Sequence, residues 1–402
     1  MLGKYCFMKG ICPEDLCTGC LACESICAHN AIKIHIDNIG FVFPKIDVNN
    51  CVGCGLCQKV CPMINDVTQR VPISSWVAMA RDDEEQITST SGGVASVLAR
   101  YIIKVHHGVV YGCSGEDCYH VRHIRVDNEN DLHKLKGSKY VQSDMTGIYC
   151  SLKRDLLTTK FVLFIGTPCQ NAGLKMFLRK DYDNLFCVDF VCHGVPSQKM
   201  LSDHINELGF KNRAAAVTFR CKQKSKSSRY MLTISDKFNS VLYRGPYGVD
   251  FYMSGFIKGL FYRESCYSCK FATSNRVSDL TVGDYWDNLN EYSSFDAKGN
   301  GLSQLHINTE KGEQLIKKIS NSIVCKPIEL QKLLKHSLQL QEPMKRHKNH
   351  ELFKSLYRIA GFKNACKLAM SSDFSKFRKQ RILDTIFLIP GAQYIYKIIK
   401  GK

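Results

Sequence analysis

The sequence predicts an α/β protein, α+β over its whole length: a small cysteine-rich module, then a larger mostly parallel α/β domain, then a helical basic tail. Three observations lead there. Eight cysteines fall in two matching runs between Cys17 and Cys61. Apolar strand-like runs at 161–165 and 186–191 are each followed by a helical stretch, at 171–179 and 199–208, and such alternation favours parallel strands. Residues 331–402 contain 16 Lys/Arg against 4 Asp/Glu, a surplus of 12 within a formal net charge of +18.

The cysteine module is assigned to residues 1–70. Its first run reads Cys17-x-x-Cys20-x-x-Cys23-x-x-x-Cys27 and its second Cys51-x-x-Cys54-x-x-Cys57-x-x-x-Cys61-Pro62. Three thiolates at two-residue intervals wrap a tight loop around one cube of iron and sulfide, and the fourth ligand must come from elsewhere. Two such runs predict two 4Fe-4S clusters, as in ferredoxins, where the distal cysteine of each run ligates the other cluster. On that rule Cys17, Cys20, Cys23 and Cys61 hold one cluster, and Cys51, Cys54, Cys57 and Cys27 the second. A zinc site needs only two pairs, and a disulfide framework would not repeat the pattern at one internal spacing. Ala28 stands where the second run has Pro62, so the surroundings of the two clusters differ. Between the runs, two short apolar stretches flank Asp37-Asn38-Ile39-Gly40, which predicts a hairpin.

The length of 402 residues and 45% hydrophobic content suffice for two or three domains with a real core. Twenty-one cysteines, an odd number, with no apolar leader ahead of them, point to metal ligation in a reducing cytoplasm. No uninterrupted apolar run reaches membrane-spanning length; the best stretch, 382–399, is broken by Asp384, Pro390, Gln393 and Lys397. The basic tail, 330–402, could at most make peripheral membrane contact or attract acidic partners, and its sign alone selects neither. No basic motif interleaved with aromatics speaks for nucleic acid.

The large domain is expected in two parts, 75–155 and 156–325. Residues 76–80 read as a buried strand and 82–85 as a polar turn. Thr90-Ser91-Gly92-Gly93 then leads into Val94, Val97, Leu98, Tyr101, Ile102 and Val105, an apolar face at helical spacing. Ser91 is expected to cap that helix, with the glycines letting a ligand approach the backbone amides, where a phosphate is favoured. The run Gly137-Ser138-Lys139-Tyr140-Val141-Gln142-Ser143 suits a flavin or phosphate. Cys169 and Cys192 sit at the carboxyl ends of strands, where α/β sheets place their chemistry. Residues 217–220 and 230–234 read as strands around a loop of Lys and Ser. Cys266-Tyr267-Ser268-Cys269 is a pair shared by zinc sites, redox dithiols and clusters.

Together the stretches 90–93, 137–143, 166–170, 192–197, 266–272 and 279–286 resemble the beta subunits of coenzyme F-420-reducing hydrogenases and dehydrogenases, flavin-containing iron–sulfur oxidoreductases. The resemblance covers roughly residues 75–310. It implies FAD in the α/β domain, with Ser91, Gly92, Gly93, Ser138, Lys139 and Tyr140 as contacts. It also implies a further 4Fe-4S cluster on Cys169, Cys192, Cys266 and Cys269, although two buried cysteines beside a zinc or dithiol pair would fit the same residues. A flavin joins one-electron clusters to two-electron chemistry. The implied function is therefore an oxidoreductase linking ferredoxin or another redox protein to an organic two-electron substrate. The other reading is a non-catalytic electron-transfer subunit, which needs clusters but no flavin site. No residue distinguishes the deazaflavin from a nicotinamide, a quinone or a modified sugar, and the direction of electron flow is open.

Overall fold

The computed structural model describes residues 10–220, 230–286, 295, 300–375 and 377. Cys6, Cys221, most of the expected Lys/Ser loop and the stretch 382–399 lie outside the described residues. Thirteen strands are described: β1 (Ile32–Ile36), β2 (Val42–Ile46), β3 (Ser74–Ala80), β4 (Val109–Ser114), β5 (Arg122–Val126), β6 (Val162–Gly166), β7 (Leu185–Phe190), β8 (Ala216–Arg220), β9 (Tyr230–Ser235), β10 (Val241–Pro246), β11 (Leu280–Tyr285), β12 (Leu302–Ile307) and β13 (Ile323–Pro327).

Eight strands form one sheet in the order β13-β3-β12-β11-β7-β6-β4-β5. The pairings β4/β6, β6/β7 and β7/β11 are parallel, as strand–helix alternation demands. The remaining pairings, β4/β5, β11/β12, β12/β3 and β3/β13, are antiparallel. Five of the eight strands therefore run one way, but the parallel ladder is confined to the centre. Its strands are apolar on both faces because helices cover them: Val162, Leu163, Phe164, Leu185, Phe186 and Val188 are all buried.

The exits of the central strands are set by local chemistry. Thr167 accepts from the Gln170 amide while Gln170 reaches back to the Thr167 amide, and Pro168 occupies the first helical position. The helix Pro168–Leu178 thus begins directly after β6, with Cys169 in its first turn. Ser197 caps Gln198–Glu207 through the Met200 amide in the same way. Two local expectations are corrected. Asp82 to Glu85 is no simple turn: the Asp82 carboxylate accepts from the Glu85 amide and starts a helix, Asp83–Thr88. The helix Val94–His106 buries Val94, Val97, Leu98 and Ile102 as expected, but Val105 is exposed and Ile103 takes a core place.

A smaller antiparallel sheet, β10-β9-β8, packs with the helices Gln198–Glu207, Phe251–Ile257 and His350–Ala369 around a second core. The described part of the basic tail is docked there, burying Phe353, Tyr357, Phe362, Ala365 and Cys366. That helix kinks at Gly361 (φ 78°), and the Glu207 carboxylate accepts from the freed Phe362 and Lys363 amides. In the cysteine module β1 and β2 pair antiparallel, Ile32 opposite Ile46, and the Asp37 carboxylate accepts from the Ile39 and Phe41 amides in the turn. Leu21, Ala22 and Val60 of this module share a core with Val109, Tyr111, Phe164 and Leu174 of the large domain. No helix among the described residues is long and apolar enough to cross a membrane.

Candidate functional site

The carboxyl ends of β6, β7 and β11 point to one side of the sheet, and the cysteine module sits against that side. Cys17, Cys20, Cys23 and Cys61 line a single small cavity, with Pro62 and Met63 closing it. The combination is the crossed one, three thiols from the first run and the distal thiol of the second. Cys12 lines the same cavity beside Cys17 and Cys61; no regular spacing in the sequence points to it. Of the second run, Cys54 is exposed, Cys51 half-buried and Cys57 buried, and the charges of Cys51 and Cys54 act on Cys57. Cys27 is half-buried beside Cys57 in the module's own small core.

Cys20 reaches the large domain through a glycine. A methyl group at Gly173, on the helix that follows Cys169, would stand 2.9 Å from the Cys20 sulfur. Close approach there requires the missing side chain. Beyond it Cys169, Cys192, Cys266 and Cys269 face one another from the β6 exit, the β7 exit and the loop before β11. Burial, reinforced by Cys269, pushes the Cys169 thiol up to about 11; burial and Cys169 push Cys192 up to about 12. Cys266 is raised further by burial and by the charges of Cys192 and Cys269. Four half-buried thiols whose thiolates would repel one another suit a shared cationic centre, which is the donor set a metal cluster needs. No three of them lie within 4.8 Å of one another. Thiolates around one zinc ion, bound at about 2.3 Å, would be closer than that.

The loop bearing Cys266 and Cys269 is fixed by Arg276. Its guanidinium donates to the Phe271 and Thr273 carbonyls and pairs with buried Asp189 of β7 at 2.7 Å. Thr281 of β11 donates to the same carboxylate oxygen.

A cavity of about 330 Å³ opens at the end of β11, lined by residues 87–91, 136–139 and 217–220 and by Asp284, Trp286 and Gly301 among others. This is at the lower end of ligand-pocket sizes, roughly 300–1,000 Å³. Thr90 accepts from the Ser138 amide and joins two lining loops. The Lys139 ammonium donates to the Leu135 and Lys136 carbonyls, and withdrawal from water lowers its pKa to about 8. The Ser89 hydroxyl is buried without a hydrogen-bond partner. Arg220 pairs with Asp284 at 2.6 Å and lies over the rings of Tyr230 and Trp286, 4.6 and 5.3 Å from their centres. Hydroxyls, the Lys139 amine, the Arg220–Asp284 pair and a flat aromatic wall are donors that a phosphorylated ring system could use.

Ser91, Ser138 and Lys139 therefore line the pocket, whereas Gly92, Gly93 and Tyr140 do not. Gly92 packs against the paired strands β3 and β12: a methyl there would meet the Ala78 carbonyl at 2.5 Å and the Ser303 nitrogen at 2.9 Å. Its amide donates to Ser303. Gly93, not Ser91, occupies the helix N-cap, with φ 83°, and Ser91 donates to the Leu302 carbonyl. Tyr140 stands behind the wall, its hydroxyl accepting from Arg220. Nothing local in the sequence points to Arg220, whose partner Asp284 is 64 residues away; Asp284 and Trp286 lie in a family-like stretch but carry no signal of a role. His193, next to Cys192, bridges the two regions: Asp284 and Arg220 act on it, and its buried Nδ1 has no hydrogen-bond partner.

Residues 159–332 match the family model for the C terminus of the coenzyme F420 hydrogenase/dehydrogenase beta subunit, and residues 16–64 match the 4Fe-4S dicluster domain. The chain is similar to the coenzyme F420-dependent sulfite reductase of Methanocaldococcus jannaschii, 22% identical over an aligned stretch of 383 residues, with 92% of this chain and 57% of that protein covered. It thus spans little more than half the length of this relative. Among solved structures it is similar to a chain of the F420-reducing [NiFe] hydrogenase complex of Methanosarcina barkeri: 17% identity, TM-score 0.47, covering 71% of this chain and 92% of that one. The expected family resemblance and the iron–sulfur character agree with these matches, and both relatives are oxidoreductases by name.

Proposed function

From a chain that joins a 4Fe-4S dicluster domain to the C-terminal domain of the coenzyme F420 hydrogenase/dehydrogenase beta subunits, we infer an iron–sulfur flavoprotein oxidoreductase. It exchanges single electrons with ferredoxin or another redox protein at the module surface and two electrons with an organic substrate at the pocket. The observation that supports this reading is the serial order of the sites. Exposed Cys54 and its group come first, then the Cys17/Cys20/Cys23/Cys61 cavity, then the four cysteines at the strand ends, and last, across His193, the pocket. A relay subunit would need the first three and no pocket.

FAD, when bound, supplies the exchange between one-electron and hydride chemistry. The chain's residues would hold it: Lys139 and the Ser138 loop on phosphate oxygens, Trp286 and Arg220 against the ring. Arg220, paired with Asp284 and covered by aromatic rings, keeps a fixed positive charge at that wall and excludes water from it. Anaerobic purification followed by cofactor release and metal analysis tests the assignment. The expected result is one FAD and about twelve irons per chain, three cubanes by formula. Absence of flavin from protein with full iron would favour the relay subunit; about eight irons with one zinc would return Cys266 and Cys269 to a zinc site.

A further inference from the structure

Arg263 is 1% exposed and has no carboxylate partner among the described residues. Its guanidinium donates instead to neutral oxygens, the Cys17 and Val42 carbonyls and the Gln142 side chain, and it lies over the rings of Phe41 and Phe43. Arginine cannot shed its proton in a protein, and a buried unpaired charge is among the costliest features a fold can hold. Something anionic must therefore compensate it. The groups in reach are the two inner thiol sets: its charge acts on Cys17 of the first cavity and on Cys169 of the second. Arg263 also lies three residues before Cys266, and its neighbour Ser265 donates to the same Cys17 carbonyl. A cubane with four thiolates is a net anion and becomes more negative on reduction.

We propose that Arg263 is the shared counter-cation of the two inner clusters, stabilising the reduced form of each, so that an electron is held more favourably there than on the exposed outer cluster. The proposal rests on the cluster assignments above. A fixed buried cation favours the reduced state because added negative charge gains attraction in a medium where water does little screening. The outer cluster, on Cys51, Cys54, Cys57 and Cys27, has no such residue among its described neighbours and serves as an internal reference.

The test is a redox titration of the holoprotein followed by electron paramagnetic resonance, with iron counted first. Arg263→Gln should make both inner clusters at least tenfold harder to reduce, a shift of 59 mV or more for a one-electron couple, while the outer cluster keeps its potential. Arg263→Lys, which retains the charge but not the fork of donors, should restore most of the shift. Should Arg263→Gln fail to fold, Gln142→Glu places a carboxylate against the guanidinium at nearly constant shape and should lower the same two potentials. Unchanged potentials at full iron content would overturn the proposal, as would equal shifts in the Lys and Gln variants, which would mark a packing role. A wild-type count of about eight irons would reject the third cluster and with it the shared role of Arg263.

Discussion

Lys139 is an amine turned away from water, tied to two carbonyls, with a pKa brought down to about 8 by desolvation. A phosphate bound beside it would restore the charge and raise that pKa, so proton and ligand binding are linked. The sign follows. Below pH 8 the amine is already protonated in the free protein and its contribution to affinity is complete. Above pH 8 the ligand must bring a proton with it, and affinity for FAD should weaken by up to about tenfold per pH unit until the bound-state pKa is passed. Fluorescence titration of the flavin-free protein with FAD at several pH values should show that break. Lys139→Met should give weaker binding at pH 7 and a flat profile; a break that survives this substitution would assign the titration to another group. Gly92 tells the opposite story at the same scale. Its place in a Ser-Gly-Gly before a helix suggests ligand contact, but the space it leaves is filled by the Ala78 and Ser303 backbones, so Gly92→Val would disturb the β3/β12 pairing itself.

The elements bring together what the chain keeps far apart, which is why the site was only partly legible in the sequence. The cysteine runs could be read because their ligands are local, and the strand ends carrying Cys169 and Cys192 because a strand–helix unit spans few residues. Arg220 with Asp284, Arg263 with Cys17 and Arg276 with Asp189 were not legible: each pair joins elements 64 to 246 residues apart through one side chain without periodic spacing. Strands β12 and β13 were not legible either: although the helix Glu310–Lys318 lies between them, both pair antiparallel with β3, far away in the chain. The Asp189–Arg276 pair offers a test at this scale. Asp189→Asn leaves a buried guanidinium without its counter-charge, which costs about 3–5 kcal/mol. Because Arg276 also holds the Phe271 and Thr273 carbonyls, the loop bearing Cys266 and Cys269 should loosen with it. The variant should melt at lower temperature and lose about four irons, one cubane, selectively. Lower stability with full iron content would show that the loop holds its thiols without Arg276.

Across the whole molecule, the cysteine module is joined to the large domain by a shared core rather than tethered as a separate body. Leu21, Ala22 and Val60 pack among side chains of β4 and β6, Cys20 lies against Gly173, and Arg263 is covered by Phe41 and Phe43. Deleting residues 1–70 would expose that apolar face and strip Arg263 of every partner named above but Gln142, so loss of flavin from a truncated chain would say little about electron flow. The outer thiol group is the cleaner lever. Cys54 is exposed and outside the shared core, so Cys54→Ser should disable the outer cluster while the inner sites, the pocket and the fold persist. If single electrons are taken up there, flavin bleaching by reduced ferredoxin in a stopped-flow experiment should slow by an order of magnitude or more, with FAD content and melting temperature unchanged. Small dyes that reach the inner clusters directly should be affected less, because they do not need to dock. Unchanged bleaching by ferredoxin in a variant shown to lack the outer cluster would place electron uptake elsewhere on the molecule.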